Sequence, residues 1–220
     1  MINLENLVFE NYDAAIWCGA EMDATELARA ASVAIENKLS TVSVTPAAVG
    51  VIWPWVENRG IEILSRFYVN DASEVTVSAV TQNINSAFKN GADGAQVFVA
   101  PDDVDVFVSQ VYVIRDDLFF NKKLFIGMDI GEINPLDWDG VFGAIKKIRA
   151  DGVTLVLAHD AGDKSDFVGR VYAAANAWDM KNMSLQFVVG NLPNRIEQAS
   201  RLFNSVRGDA APKLKFFVNV

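Results

Sequence analysis

Strand-length apolar runs alternating with stretches of helical periodicity constrain this chain more than any other feature of its sequence. The runs are Ala14 to Gly19, Thr41 to Thr45, Glu62 to Val69, Gly94 to Ala100, Leu124 to Ile130, Val153 to Ala158, Ser184 to Val189 and Lys213 to Val218. Several are nearly unbroken, as in Val153-Thr154-Leu155-Val156-Leu157-Ala158. Parallel strands covered on both faces read this way, whereas half-exposed antiparallel strands alternate apolar with polar.

The intervening segments carry helix-start signals. Asp23-Ala24-Thr25-Glu26 places a capping side chain and a first-turn acid before Leu27, Ala30, Ala31 and Ala34. Pro46 stands where a second helix starts, at a position whose N–H has no helical partner. Pro101-Asp102-Asp103 opens a helix with acids that suit its positive end. Val141, Ala144, Ile145 and Ile148 share one face of another helix, which ends at Asp151-Gly152. Two more follow Gly162-Asp163-Lys164-Ser165 and Asn191-Leu192-Pro193-Asn194.

Strict alternation of strand and helix implies an α/β fold with right-handed crossovers. Eight evenly spaced strands favour closure into a (β/α)8 TIM barrel of eight parallel strands, with an open doubly wound sheet as the rival. That rival lacks its usual support, since the chain has neither a glycine-rich dinucleotide fingerprint nor a phosphate-binding Walker loop. The expectation is a single domain over residues 1–220, with 1–12 as an N-terminal capping segment and the C-terminal eighth helix missing. Strand eight, carrying Phe216 and Phe217, then needs a cover, supplied by Ile2 to Tyr12 or by a second subunit.

Composition narrows the function classes. At 51% hydrophobic and 21% charged, the 220 residues can bury a large core. A net charge of −9 repels phosphate backbones and anionic lipid headgroups, so no nucleic-acid or membrane-surface role is expected. No apolar run approaches the roughly 20 residues of a membrane span. Met1 to Glu5 shows no basic region leading into an apolar run, so no signal peptide is expected and the compartment is read as cytoplasmic. Cys18 is the only cysteine, consistent with a reducing compartment, and its plain reading is a small buried side chain beside Trp17.

Four stretches, in order and at matching spacing over roughly residues 13–190, resemble the deoxyribose-phosphate aldolase family of class I aldolases. They are Asp23-Ala24-Thr25, Ser40-Thr41-Val42-Ser43-Val44-Thr45-Pro46-Ala47-Ala48-Val49, Asn90-Gly91-Ala92-Asp93, and Leu124 to Ile133 with Asp129, Gly131 and Glu132. The resemblance implies a TIM barrel and a Schiff-base lysine near the end of strand six. It also implies a second lysine on strand seven and an acid on strand four. The chain departs from that pattern at each position. Leu157 or Ala158 falls where the Schiff-base lysine belongs, Phe187 or Val188 where the second lysine belongs, and Gln96 where the acid belongs. Phe67-Tyr68-Val69-Asn70-Asp71 replaces the family's loop after strand three, and no lysine falls within the first seven strands as read. The expectation is an aldolase-like barrel, a lyase at most of divergent mechanism, without Schiff-base lysine chemistry.

Barrel enzymes build their sites at the C-terminal ends of the strands. Those ends carry Trp17, Cys18, Thr45, Asn70, Asp71, Asp102, Asp103, Asp129, Glu132, His159, Asp160, Asp163, Asn191, Asn194, Arg195 and Asn219. His159 is the only histidine. Alternation puts it on one face with Leu155 and Leu157, which the family comparison makes the lumen side. There it reads either as a general base oriented by Asp129 or Glu132, or as a hydrogen-bonded loop-start residue. Asp129, Glu132, His159 and Asp160 also have the chemistry for a divalent cation, but no tight ligand spacing supports a metal, so no cofactor is assigned. Gly190, Asn191, Asn194 and Arg195 form a glycine-led helix start suited to a phosphate, with Lys164 after strand six in a similar position. Two functions follow. One is an enzyme acting on a small polar or phosphorylated metabolite; the other is a silent barrel that binds or scaffolds, its lumen filled by Leu157 and Phe187. A homo-oligomer is compatible with Trp53-Pro54-Trp55, whose other use is packing between helix and barrel.

Overall fold

The structure, a computed structural model, describes residues 12–157, 164–180, 182–190 and 194–219. Eight parallel strands close into a barrel in chain order. They are β1 (Asp13–Trp17), β2 (Thr41–Val44), β3 (Glu62–Val69), β4 (Gly94–Val99), β5 (Lys123–Asp129), β6 (Gly152–Val156), β7 (Ser184–Gly190) and β8 (Leu214–Asn219). Closure is made by β8 pairing with β1, Ala14 opposite Phe216 and Ile16 opposite Val218. The (β/α)8 barrel expected from the apolar runs is the fold observed.

The crossovers hold α1 (Ala24–Glu36), α2 (Val49–Val56), α3 (Glu74–Lys89), α4 (Val104–Val111) with the single-turn α5 (Arg115–Leu118), α6 (Trp138–Lys147), α7 (Lys164–Ala177) and α8 (Asn194–Arg207). Among the described residues no helix follows β8. The sequence-level caps are realised: Asp23 accepts from the amides of Thr25 (2.8 Å) and Glu26 (2.9 Å), while Glu26 accepts from the Asp23 amide (3.0 Å). This reciprocal box satisfies donors that the first turn of α1 leaves open. Pro46 opens a 3-10 turn that runs into α2.

Each strand is buried on both faces, but the two faces differ. The outer faces join the helices in one large apolar layer that includes Val153, Leu155, Leu157, Phe187 and Phe216. Register and burial place Ala15, Ser43, Leu64, Arg66, Gln96, Phe125, Thr154, Gln186 and Phe217 on the inner side. Leu155 and Leu157 therefore face the helices, not the lumen as expected. Phe187 likewise turns outward, its ring 5.6 Å from Phe203 of α8. The lumen is not filled by Leu157 and Phe187; Ala15, Leu64, Phe125, Val188 and Phe217 form its apolar cluster. Strand five also starts one residue earlier than read, so it includes Lys123 at its N-terminal end.

On the outside of β8, Phe216 is fully buried, with Phe187 stacked at 5.7 Å and Tyr12 edge-on at 5.9 Å. Tyr12 thus contributes to the expected cover, and the rest of the capping segment lies outside the described residues. Trp138 and Trp178 are buried, both packed against Phe142 of α6, whereas Trp53 and Trp55 keep 38% and 53% of their surface exposed.

Candidate functional site

The lumen is organised in levels along the barrel axis. At its N-terminal end Lys215 donates to Ser40 and Thr41 (both 2.7 Å) and pairs with Asp13 (3.3 Å), and Lys123 pairs with Glu62. Both lysines stand at strand beginnings, away from the end where barrel chemistry takes place.

The middle level is an uncharged polar belt. The Ser43 hydroxyl donates to Gln96 Oε1 (2.6 Å). Gln96 Nε2 donates to Gln186 Oε1 (2.8 Å) and Thr154 Oγ1 (3.3 Å), and the Thr154 hydroxyl donates to Gln186 Oε1 (2.8 Å). These four side chains come from β2, β4, β6 and β7 and are all buried. Buried amides and hydroxyls persist only when paired, so the belt ties four strands to one another across the lumen.

Toward the C-terminal end, Arg66 of β3 enters the lumen among aromatic rings. It is 3% exposed. One terminal nitrogen donates to the Cys18 carbonyl and the other to the Ser43 carbonyl (3.4 Å), while its guanidinium lies 4.0 Å from the Trp17 ring centroid. Its Nε is buried with no hydrogen-bond partner among the described residues. Among the described residues no carboxylate pairs with it. Burial lowers its pKa from the ordinary value, with Tyr68 and Cys18 acting the other way. Trp17 meets Phe98 and Phe217 edge-on at 5.8 and 5.9 Å, and Tyr68 stacks on Phe98 at 5.1 Å. Gly127 makes room for that arrangement, because a Cβ there would stand 2.4 Å from the Phe98 ring.

The expected site residues fall into three groups. Asp129 ends β5 on the lumen side, half-buried, and accepts from the Gly131 amide (2.7 Å) to cap the turn holding exposed Glu132. Arg170 of α7 pins that turn by donating to the carbonyls of Ile130 (3.1 Å), Gly131 (2.8 Å) and Ile133 (3.2 Å). His159 lies outside the described residues, as do Asp160, Asp163 and Asn191, so the general-base and metal readings are carried here by Asp129 and Glu132 alone. Among the described residues no three histidine, cysteine, aspartate or glutamate side chains gather as a metal site.

In the third group, Gly190 ends β7 in the left-handed region (φ 57°), which glycine enters without strain, at a register shift against β8. Asn194 is exposed at the start of α8, and Lys164 is the first residue of α7. Arg195 donates to the Leu157 carbonyl and lies 4.8 Å from the Phe167 ring centroid, so it joins α8 to the end of β6. Asp71, another rim acid, sits just ahead of α3, whose N-cap is Ser73, and accepts from the Ser73 amide (2.9 Å) and the Thr76 hydroxyl (3.1 Å), bonds that hold its carboxyl below the usual range.

Sequence reasoning missed Arg66, and the signal for it was present: a lone arginine within the apolar run Glu62 to Val69. Cys18 behaves as its plain reading had it. It is fully buried, and burial pushes its thiol up to about 11, outweighing the opposite pull of Arg66. That is far from a nucleophilic thiolate. A cleft of about 500 Å³ opens at the other end of the barrel, lined in part by Trp53, Asn58, Glu62, Asp93, Asn121 and Lys123.

No protein-family model matches the chain, and no curated protein sequence matches it. Solved structures do. A provisionally named deoxyribose-phosphate aldolase from Toxoplasma gondii ME49, in its apo form, is 16% identical with a TM-score of 0.73, covering 94% of this chain and 88% of its own. The tetrameric deoxyribose phosphate aldolase from Aeropyrum pernix is 12% identical with a TM-score of 0.70, covering 93% and 84%. The carboxyl transferase domain of Rhizobium etli pyruvate carboxylase is 10% identical with a TM-score of 0.64, covering 98% of this chain and 42% of that one. The likeness is one of fold. Among the described residues no helix is long and apolar enough to cross a membrane.

Proposed function

We propose that this chain is an aldolase-like barrel protein that takes a small polar or phosphorylated metabolite at the C-terminal end of its strands, without Schiff-base lysine chemistry. The observation that carries the reading is the identity of the inward positions on β6 and β7. They are Thr154 and Val156 on one strand and Gln186 and Val188 on the other. None is an amine, so a carbonyl substrate held at these positions meets no lysine among the described inward residues of the two strands. In this reading His159 serves as the general base together with Asp129 and Glu132, and Gly190, Asn191, Asn194, Arg195 and Lys164 serve the anionic end of the ligand.

Catalytic silence is the second reading, and one observation favours it: Trp17 meets both Phe98 and Phe217 edge-on in the upper lumen. A thermal-shift panel of phosphorylated sugars and small aldehydes, with and without Mg²⁺, Mn²⁺ and Zn²⁺, separates the two, since a ligand of the native state raises the melting temperature. Stabilisation by a phosphorylated compound, and its turnover lost in a folded His159→Ala variant, is the expected result. A flat panel leaves the silent barrel. Borohydride trapping of a substrate adduct on an inward-facing lysine would overturn the mechanism proposed.

A further inference from the structure

A guanidinium removed from water loses several kcal/mol of hydration unless charged or strongly polar partners replace it. At Arg66 the replacement is incomplete. Two main-chain carbonyls and the face of Trp17 meet the cation, its Nε has no acceptor, and no carboxylate pairs with it among the described residues. A purely architectural arginine at this depth is ordinarily matched by an acid. Trp17 itself packs on Phe98 and Phe217, Tyr68 stacks on Phe98, and the Gln96 belt below is neutral and satisfied within itself.

The place is also the right one. The Cys18 carbonyl that Arg66 meets lies just past the C-terminal end of β1. The next inward position on β3 is Tyr68, 58% exposed, and Trp17 is only half-buried, so the aromatic shell around the guanidinium is in contact with solvent. A planar fork with open donors, set in a low-dielectric collar at a barrel mouth, binds an oxyanion far more strongly than the same group would in water.

We infer that Arg66 is the anion anchor of the barrel mouth, holding the carboxylate or phosphate group of a small ligand beside Trp17 and Tyr68. This rests on the proposed metabolite site and names the chemical class of what enters it. It also moves the main anion contact from Arg195, which joins α8 to β6, to the opposite wall of the lumen.

The test is a titration of the purified full chain with sodium acetate and, separately, with inorganic phosphate, each against sodium chloride at matched ionic strength. The readout is tryptophan fluorescence, which Trp17 reports because it stacks on the guanidinium. A saturable change with acetate or phosphate, weakened at least tenfold in Arg66→Met, is expected, and the better-bound ion assigns the class. Trp17→Phe should lose the optical signal but keep the thermal stabilisation by that ion. No saturable change beyond chloride, or wild-type affinity in a folded Arg66→Met, overturns the inference. If Arg66→Met does not fold, Arg66→Lys keeps the charge but not the fork, and wild-type affinity there overturns it equally. A metabolite response unchanged by Arg66→Met removes this inference and leaves the proposed function standing. Arg66-dependent ion binding with a flat metabolite panel does the reverse.

Discussion

Replacing Gln96 with leucine tests whether the polar belt holds the barrel together. Gln96 makes three of the four hydrogen bonds in the belt, and Gln96→Leu removes them all at little change in volume. Thr154 and Gln186 keep their own bond at 2.8 Å, so neither loses every partner. Ser43 loses the acceptor of its hydroxyl, and it is fully buried. An orphaned buried hydroxyl costs about 1–3 kcal/mol, and each of the two other lost bonds about 0.5–1.5 kcal/mol net, so the variant should lose roughly 2–6 kcal/mol. Adding Ser43→Ala deletes the orphan, and the double variant should recover about 1 kcal/mol or more of that loss. Urea unfolding with unchanged slope measures both, and the cycle isolates the pair. A Gln96→Leu cost below about 1 kcal/mol, with Ser43→Ala only adding to it, would refute the reasoning.

Two further expectations follow from the lumen. Gly127→Ala drives a methyl to within 2.4 Å of Phe98, and overpacking of this kind costs about 1–3 kcal/mol; thermal unfolding should show the loss, and Phe98→Leu in the same chain should recover part of it. Cys18 has its thiol raised from 9.0 to about 11 by burial, so the native state binds more protons than the unfolded chain between those values. Its contribution is intact below pH 9 and declines as pH rises toward about 11; Cys18→Ala should flatten that part of the stability curve, and an unchanged curve would count against it.

How much of the site was legible depends on what each residue had to reveal. Asp23 and Pro46 announced their turns because capping is local chemistry, settled within four residues. Asp129 was found at the end of β5 because barrel sites lie at strand ends, yet its commitment to the Gly131 amide shows only in three dimensions. Arg66 was overlooked because a single charge in an apolar run says nothing of whether an acid will stand opposite it.

The alternation of apolar runs with helical periods determined the α/β class by itself and favoured the barrel over an open doubly wound sheet, because eight evenly spaced strands buried on both faces can close on themselves inside a ring of helices. What it left open was which face of each strand looks inward. A strand buried on both sides has no apolar–polar alternation to betray its orientation, and reading β6 and β7 by Leu157 and Phe187 chose the wrong side. The polar interruptions Thr154 and Gln186 sit on the opposite parity, one residue away in Phe187's case. Only the closed register of the barrel, which brings them together with Gln96 and Ser43 from two other strands, decided that those positions form the lumen.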